Sequence, residues 1–287
     1  MAWSRFRYKA PPLCYPRLVR AFPLLLLLAA GGCAFGGSGM DPFAPAPATR
    51  IAEADLDVPY VPTPRRVVEA MLELAEVGRD DYLIDLGSGD GRIAIMAAQR
   101  GARAFGVDLD PARVSEATAA AALAQVGSRA RFRTQDLFDT PLREASVVTM
   151  YLLPEVNMRL RPRLLTELRP GTRIVSHNFD LGDWRPDARR EFDASRIFLW
   201  IVPATAAGRW ILRRGDGSEA VLELEQQFQT VTGTLGGRPL ENVALRGRSL
   251  RFTVGRETFR ALVEDSAIVP DPAAPPGAAS GWRARRG

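Results

Sequence analysis

The chain has 287 residues, 46% hydrophobic and 25% charged, which is enough apolar content for one or two buried cores and excludes an intrinsically disordered protein. Its formal charge of +5 is concentrated in the leading segment, where Arg5, Arg7, Lys9, Arg17 and Arg20 precede Cys33 with no acid among them; residues 34–287 carry 33 positive and 33 negative charges, so no basic nucleic-acid groove is expected. Both cysteines, Cys14 and Cys33, fall in that segment and His177 is the only histidine, which excludes disulfides within the body, thiolate zinc sites and histidine metal clusters.

The leading segment reads as a targeting sequence. A basic stretch is followed by "FPLLLLLAA" (22–30), too short to span a bilayer but suited to a signal peptide's apolar region. "AGGC" (30–33) resembles a bacterial lipoprotein cleavage box and predicts an exported envelope protein lipid-anchored at Cys33. A simple cleaved export signal, or a cytoplasmic protein begun at Met40, are the alternatives. "MDPFAPAPATR" (40–50) has the proline and alanine content of an extended linker.

The expected organisation is a signal or lipoprotein segment (1–33), a linker (34–57), a catalytic domain (58–203) and a C-terminal β domain (204–287). Thr63 and Pro64 have the order of a cap and a first helical residue. Val67, Val68, Met71, Leu72 and Ala75 recur at helical spacing, predicting a helix over 64–77 closed by Gly78. Strand and helix then alternate. "YLIDLG" is followed by a helix from Gly91 to Arg100, "AFGVDL" by a helix from Pro111 to Gln125, and then come "RFRTQD", "SVVTMYL", a helix over 157–168 and "RIVSHNF". This rhythm predicts an α/β fold with a doubly wound, mostly parallel, Rossmann-like sheet whose ligand sits at the carboxyl ends of the strands. Near residue 195 the helical period stops. "RIFLWIVPA", "GRWILRRG", "AVLELEQQFQTVTGTLG", "VALRGRSLRFTVG" and "TFRALVED" read as a small antiparallel β appendage.

The chemistry lies in "DLGSGDGR" (85–92). Asp85, Gly87, Ser88, Gly89, Asp90 and Gly91 form a glycine-rich loop of the kind that cradles a nucleotide, and Asp108, seventeen residues beyond Gly91, stands where an acid accepts ribose hydroxyls. Asp85 would repel a pyrophosphate but would attract the ammonium and sulfonium of S-adenosylmethionine. Arg92 occupies the place where the dinucleotide fingerprint has its third glycine or alanine. These features point to S-adenosylmethionine, with Leu109 beside Asp108 and Asp136 with Leu137 completing the adenosine side, and "MYLLPE" (150–155) on the methyl-acceptor side.

With "VPYVPTP" (58–64), "DLGSGDGRI", "GVDLDP" and "LLPE", residues 58–184 resemble the seven-strand class I methyltransferases related to the lysine methyltransferases of ATP synthase subunit c and the adenine nucleotide translocator. The resemblance implies that Tyr60, Pro62 and Thr63 fold over the methionyl end of the cofactor, and that Pro154 and Glu155 border an acceptor lysine channel. The expected function is N-methylation of a protein lysine by direct in-line transfer, with Tyr151 and Glu155 as candidate catalytic pocket residues and no metal. The export signal and the β appendage depart from that family and leave open a non-catalytic cofactor-binding envelope protein acting through its β domain. A nucleotide-dependent oxidoreductase is disfavoured by Asp85. Tyr60 and Tyr151 also suit core packing, Glu155 suits a helix N-terminus, and His177 reads as a satisfied edge-strand histidine rather than a base. Trp184, Trp200 and Trp210 read as packing residues beneath the appendage.

Overall fold

The computed structural model describes residues 61–287; the leading segment with Cys33, the linker and Tyr60 lie outside the described residues. The described residues form two sheets. The first contains β1 (Tyr82–Leu86), β2 (Arg103–Asp108), β3 (Ala130–Thr134), β4 (Val147–Met150), β5 (Arg173–His177), β6 (Ala188–Phe192) and β7 (Ser195–Ile201), in the order β3-β2-β1-β4-β5-β7-β6. β1 to β5 are parallel and β7 runs antiparallel to β5, so the strand order reverses between β1 and β4. Doubly wound sheets open their ligand crevice at such a point.

Helices α1 (Arg65–Leu74), α2 (Arg92–Gln99) and α3 (Pro111–Leu123) cover one face, and α4 (Pro154–Glu167) covers the other. The strands explain both cores through their period of two: Leu83 and Val147 pack with α1 and α2, whereas Ile84, Leu86, Val148, Met150 and Ile174 pack with Val156, Leu160 and Leu164 of α4. Asp85 therefore points to the α1–α2 side, with Thr149, its register partner on β4. Among the described residues, no helix is long and apolar enough to cross a membrane.

The second sheet is antiparallel throughout. It comprises β8 (Gly208–Arg214), β9 (Glu219–Gln227), β10 (Thr230–Leu235), β11 (Arg238–Pro239), β12 (Glu241–Arg246), β13 (Ser249–Val254), β14 (Glu257–Val263), β15 (Ala267–Pro270) and β16 (Trp282–Arg286), in the order β11-β10-β9-β8-β16-β15-β14-β13-β12. Its ends curl toward each other around Trp210, Leu222, Phe252, Phe259 and Trp282, giving a nearly closed barrel, with Phe252 and Phe259 stacked at 4.6 Å. The hairpin tip between β9 and β10 reaches the first sheet: Phe228 stacks on Trp184 at 5.8 Å, and Gln229 donates to the carbonyl of Arg185 at 2.6 Å.

Several expectations are corrected. The run "RIFLWIVPA" belongs to the first sheet as β7, because Phe198 and Trp200 bury against the α4 face while Ile197 and Leu199 bury against α1. Its hairpin partner β6 is not evident in the sequence, where Arg189, Arg190 and Glu191 mask any apolar alternation at this edge. The two longest β-like runs are hairpins, turned at Phe228 (φ 54°) and Gly247 (φ 56°). α1 is shorter than expected and is preceded by Pro64, with no side-chain cap, since the Thr63 hydroxyl is engaged elsewhere; Glu76 (φ 52°), not Gly78, turns the chain. α4 begins three residues earlier than Asn157, with Pro154 in its first turn. Trp200 packs on the α4 face of the first sheet and Trp210 inside the barrel. β5 lies between β4 and β7, so His177 is not on an edge strand.

Candidate active site at the carboxyl ends of β1 and β4

The glycine loop leaves β1 and is tied to its neighbour. The amides of Gly87 and Ser88 both donate to the carbonyl of Val107, at 2.9 and 2.8 Å. The amide of Gly89 donates to Asp108 Oδ2 at 2.8 Å, and that of Asp110 to Asp108 Oδ1 at 3.0 Å. Asp108 thus shapes the loop from the end of β2 while its carboxylate stays partly exposed, with remaining lone pairs for a ligand hydroxyl. Asp110 caps α3 through the amide of Ala112 at 2.8 Å. Gly87, Gly89 and Gly91 all have positive φ (75°, 52° and 77°), the left-handed region that favours glycine. At Gly91 a Cβ would also lie 2.6 Å from Phe132 Cζ and 2.7 Å from Ala117 Cβ.

Asp85 is 1% exposed. Thr149 donates to its Oδ1 at 2.7 Å, while Oδ2 is buried without a protein partner. Burial pushes the carboxyl up to about 7; the Thr149 hydrogen bond works against that shift, and the nearby charges of Asp108 and Asp90 add to it. The hydroxyl of Ser88 is a second buried polar atom without a protein partner in the same loop. A buried carboxylate oxygen lacking a donor, set in a backbone cradle beside two further acids, fits a ligand that brings cationic N–H groups. It does not fit a phosphate.

A side-chain chain runs from this loop to Tyr151, just beyond the end of β4. Asp90 pairs with Arg92 at 2.5 Å, and Arg92 Nη1 donates to the carbonyl of Thr63 at 2.9 Å. The Thr63 hydroxyl is 3.1 Å from His177 Nδ1, and His177 Nε2 is 3.0 Å from the Ser195 hydroxyl. The imidazole is 2% exposed, and burial lowers its pKa to about 4, so it is neutral at physiological pH. The Tyr151 ring lies against it, with centroids 4.0 Å apart, and Phe179 stacks behind Tyr151 at 6.2 Å.

Thr63, Asp85, Gly87, Ser88, Gly89, Asp90, Gly91, Asp108 and Tyr151 are thus gathered by the ends of β1, β2, β4 and β5 and the lead-in to α1. Leu109 follows β2. Asp136 and Leu137 follow β3 in a short 3-10 turn that Asp136 caps through the Phe138 amide at 2.8 Å. Pro62 is exposed just before Thr63, and Glu155 is exposed in the first turn of α4, as a helix N-terminal charge would be. Thr149, Arg92, His177 and Ser195 were not in the predicted set. Thr149 could have been found from strand parity; the others depend on contacts across 18 to 114 residues of sequence. Among the described residues, no group of three metal-ligating side chains occurs.

Comparison with known proteins agrees with this geometry. The ANTKMT methyltransferase domain matches residues 85–188. The chain is 48% identical over 131 residues to a protein-lysine N-methyltransferase of Saccharolobus islandicus, covering 45% of this chain and 81% of that one. It is 39% identical to the adenine nucleotide translocase lysine N-methyltransferase of Mus musculus, covering 54% and 68%. A crystal structure of an RNA methyltransferase from Salinibacter ruber with S-adenosyl-L-homocysteine aligns at 50% identity and a TM-score of 0.49 over 50% of this chain and 94% of that one. The glycine cradle, the acids at the strand ends and the kinship with these two lysine methyltransferases have one reading: the chain is a methyltransferase of the ANTKMT family, with S-adenosylmethionine as its cofactor.

Proposed function

We propose that the enzyme methylates the side-chain amine of a protein lysine by direct in-line transfer. The observation that carries the reading is Asp85, whose buried, unpartnered Oδ2 at the head of the glycine loop suits the ammonium of the methionyl group. Asp108 would accept the ribose hydroxyls, Asp136 with Leu109 and Leu137 would border the adenine, and Tyr60, Pro62 and Thr63 would cover the methionyl end. When bound, S-adenosylmethionine supplies an activated methyl group, and such a displacement requires orientation and desolvation rather than a covalent enzyme intermediate. The lysine acceptor is supported by relatives named for lysine methylation. Its ammonium must lose a proton before attack, to water or to Tyr151 or Glu155 on the acceptor side. Lys9 is the only lysine of the chain, so the body of the enzyme offers no acceptor lysine of its own.

The test is incubation of the purified enzyme with methyl-labelled S-adenosylmethionine and cell-envelope extract, followed by mass spectrometry of labelled peptides. Methyl-lysine is expected. Label confined to another residue type, or to RNA, would refute the lysine assignment while leaving the methyltransferase intact.

The reading extends to location. The basic stretch, short apolar run and small residues before Cys33 favour an exported, lipid-anchored enzyme, residues 58–203 catalytic and 204–287 a separate β module. In its own host the wild type should begin at a lipidated Cys33 and pellet with membranes, and Cys33→Ser should not. A soluble product starting at Met40 would overturn this.

A further inference from the structure

His177 lies outside the glycine loop, and its hydrogen bonds go to Thr63 and Ser195, yet it is 2% exposed, more buried than Tyr151 or Glu155. Both of its nitrogens meet hydroxyls, Thr63 at 3.1 Å and Ser195 at 3.0 Å. A neutral imidazole has one N–H donor and one acceptor, so of these two hydroxyls one accepts and one donates. The Thr63 bond ties the lead-in before α1 to the end of β5, and the Ser195 bond adds a side-chain link to the first residue of β7, a strand already paired with β5. Val61 and Pro62 of the lead-in are exposed and Thr63 is 4% exposed, so the described part of this segment enters the structure at Thr63. Its described anchors are the Thr63 hydroxyl on His177 and the Thr63 carbonyl on Arg92.

The geometry points to His177 as a positioning residue that fastens the Thr63 lead-in over the cofactor pocket and, through its ring contact, fixes Tyr151 at the acceptor end. This rests on the proposed placement of the lead-in over the methionyl group. A single imidazole then sets both walls between which the methyl group passes: Thr63 on the cofactor side through Nδ1, and Tyr151 on the acceptor side through its ring face.

Two amide substitutions separate its two hydrogen bonds. Asparagine places a polar atom near the Nδ1 position and can keep the Thr63 bond; glutamine places one near the Nε2 position and can keep only the Ser195 bond. Calorimetric titration with S-adenosylhomocysteine is expected to give near wild-type affinity for His177→Asn, and about a tenfold loss for both His177→Gln and Thr63→Val, the scale of one lost hydrogen bond. The double variant His177→Gln, Thr63→Val should lose no more than either single one. Circular dichroism and thermal melting confirm folding, and Thr63→Val, altering a residue just outside α1, keeps the test alive should a His177 variant not fold. Equal affinity for wild type, Thr63→Val and His177→Gln would overturn the inference, as would losses that simply add. Failure of the wild type itself to bind would instead count against the cofactor-site assignment.

Discussion

Asp85→Asn should give an apo enzyme more stable than the parent at neutral to alkaline pH and poorer at holding its cofactor. The parent carboxyl titrates near 7 in the fold and at 3.8 in the unfolded chain. The folded state therefore binds more protons across that window, and stability falls as pH rises from about 4 toward 7, the full cost being present above it. A shift of this size corresponds to at most about 4 kcal/mol. The asparagine amide keeps part of the desolvation cost, so a gain of about 2 kcal/mol is expected near pH 8, shrinking toward zero by about pH 4. Urea unfolding at the two pH values checks both size and sign; a loss of stability at pH 8 would show that Asp85 is not a strained, unpaired acid. Binding should move the other way, weakening by about 1 to 3 kcal/mol as the charge-assisted hydrogen bond is lost. In the parent, affinity should drop as pH falls below about 7, with proton release on binding measurable by calorimetry in buffers of different ionisation enthalpy. The asparagine variant should release none.

Gly91→Ala should be among the most damaging small changes in the catalytic sheet. Gly91 holds φ 77° at the junction of the loop and α2, and a Cβ there would meet the Phe132 ring at 2.6 Å and Ala117 Cβ at 2.7 Å. Left-handed backbone costs an alanine about 1 to 2 kcal/mol, and overpacking against α3 adds about 1 to 3 kcal/mol. A total loss of about 2 to 5 kcal/mol follows, with cofactor affinity falling as the loop shifts. Gly78→Ala serves as the control: its Cβ would meet nothing within 4 Å, and its unfolding midpoint should stay near that of the parent. If Gly91→Ala melts with that control, the loop is not closed against β3 and α3 as described.

The glycine loop and the acids at the ends of β1, β2 and β3 were legible in the sequence because each is local. A five- or six-residue apolar run ending in an acid is visible without knowledge of its neighbours, and glycines at positions 87, 89 and 91 announce a backbone no other residue adopts cheaply. The lead-in "VPYVPTP" was legible only by resemblance, since nothing local says what Thr63 will touch. The contact with His177 spans 114 residues and closes only when β5 takes its place beside β4. Thr149 is intermediate: its strand was evident, but its pairing with Asp85 depends on the register between β1 and β4.

By itself the sequence determined the residue chemistry and the periodicities: a cationic-ligand loop with acids, a parallel alternating half, an antiparallel half, and a body with neither cysteine nor lysine. Only the tertiary structure decided which sheet the run at 195–201 joins, that the charged segment 188–192 pairs with it, and that the sole histidine is held between two hydroxyls. The physical reason is that an apolar strand has two faces to bury and no local preference for a partner. Ile197 and Leu199 find α1 on one side, Phe198 and Trp200 find the α4 face on the other, and that double burial draws the strand into the first sheet and brings Ser195 to His177.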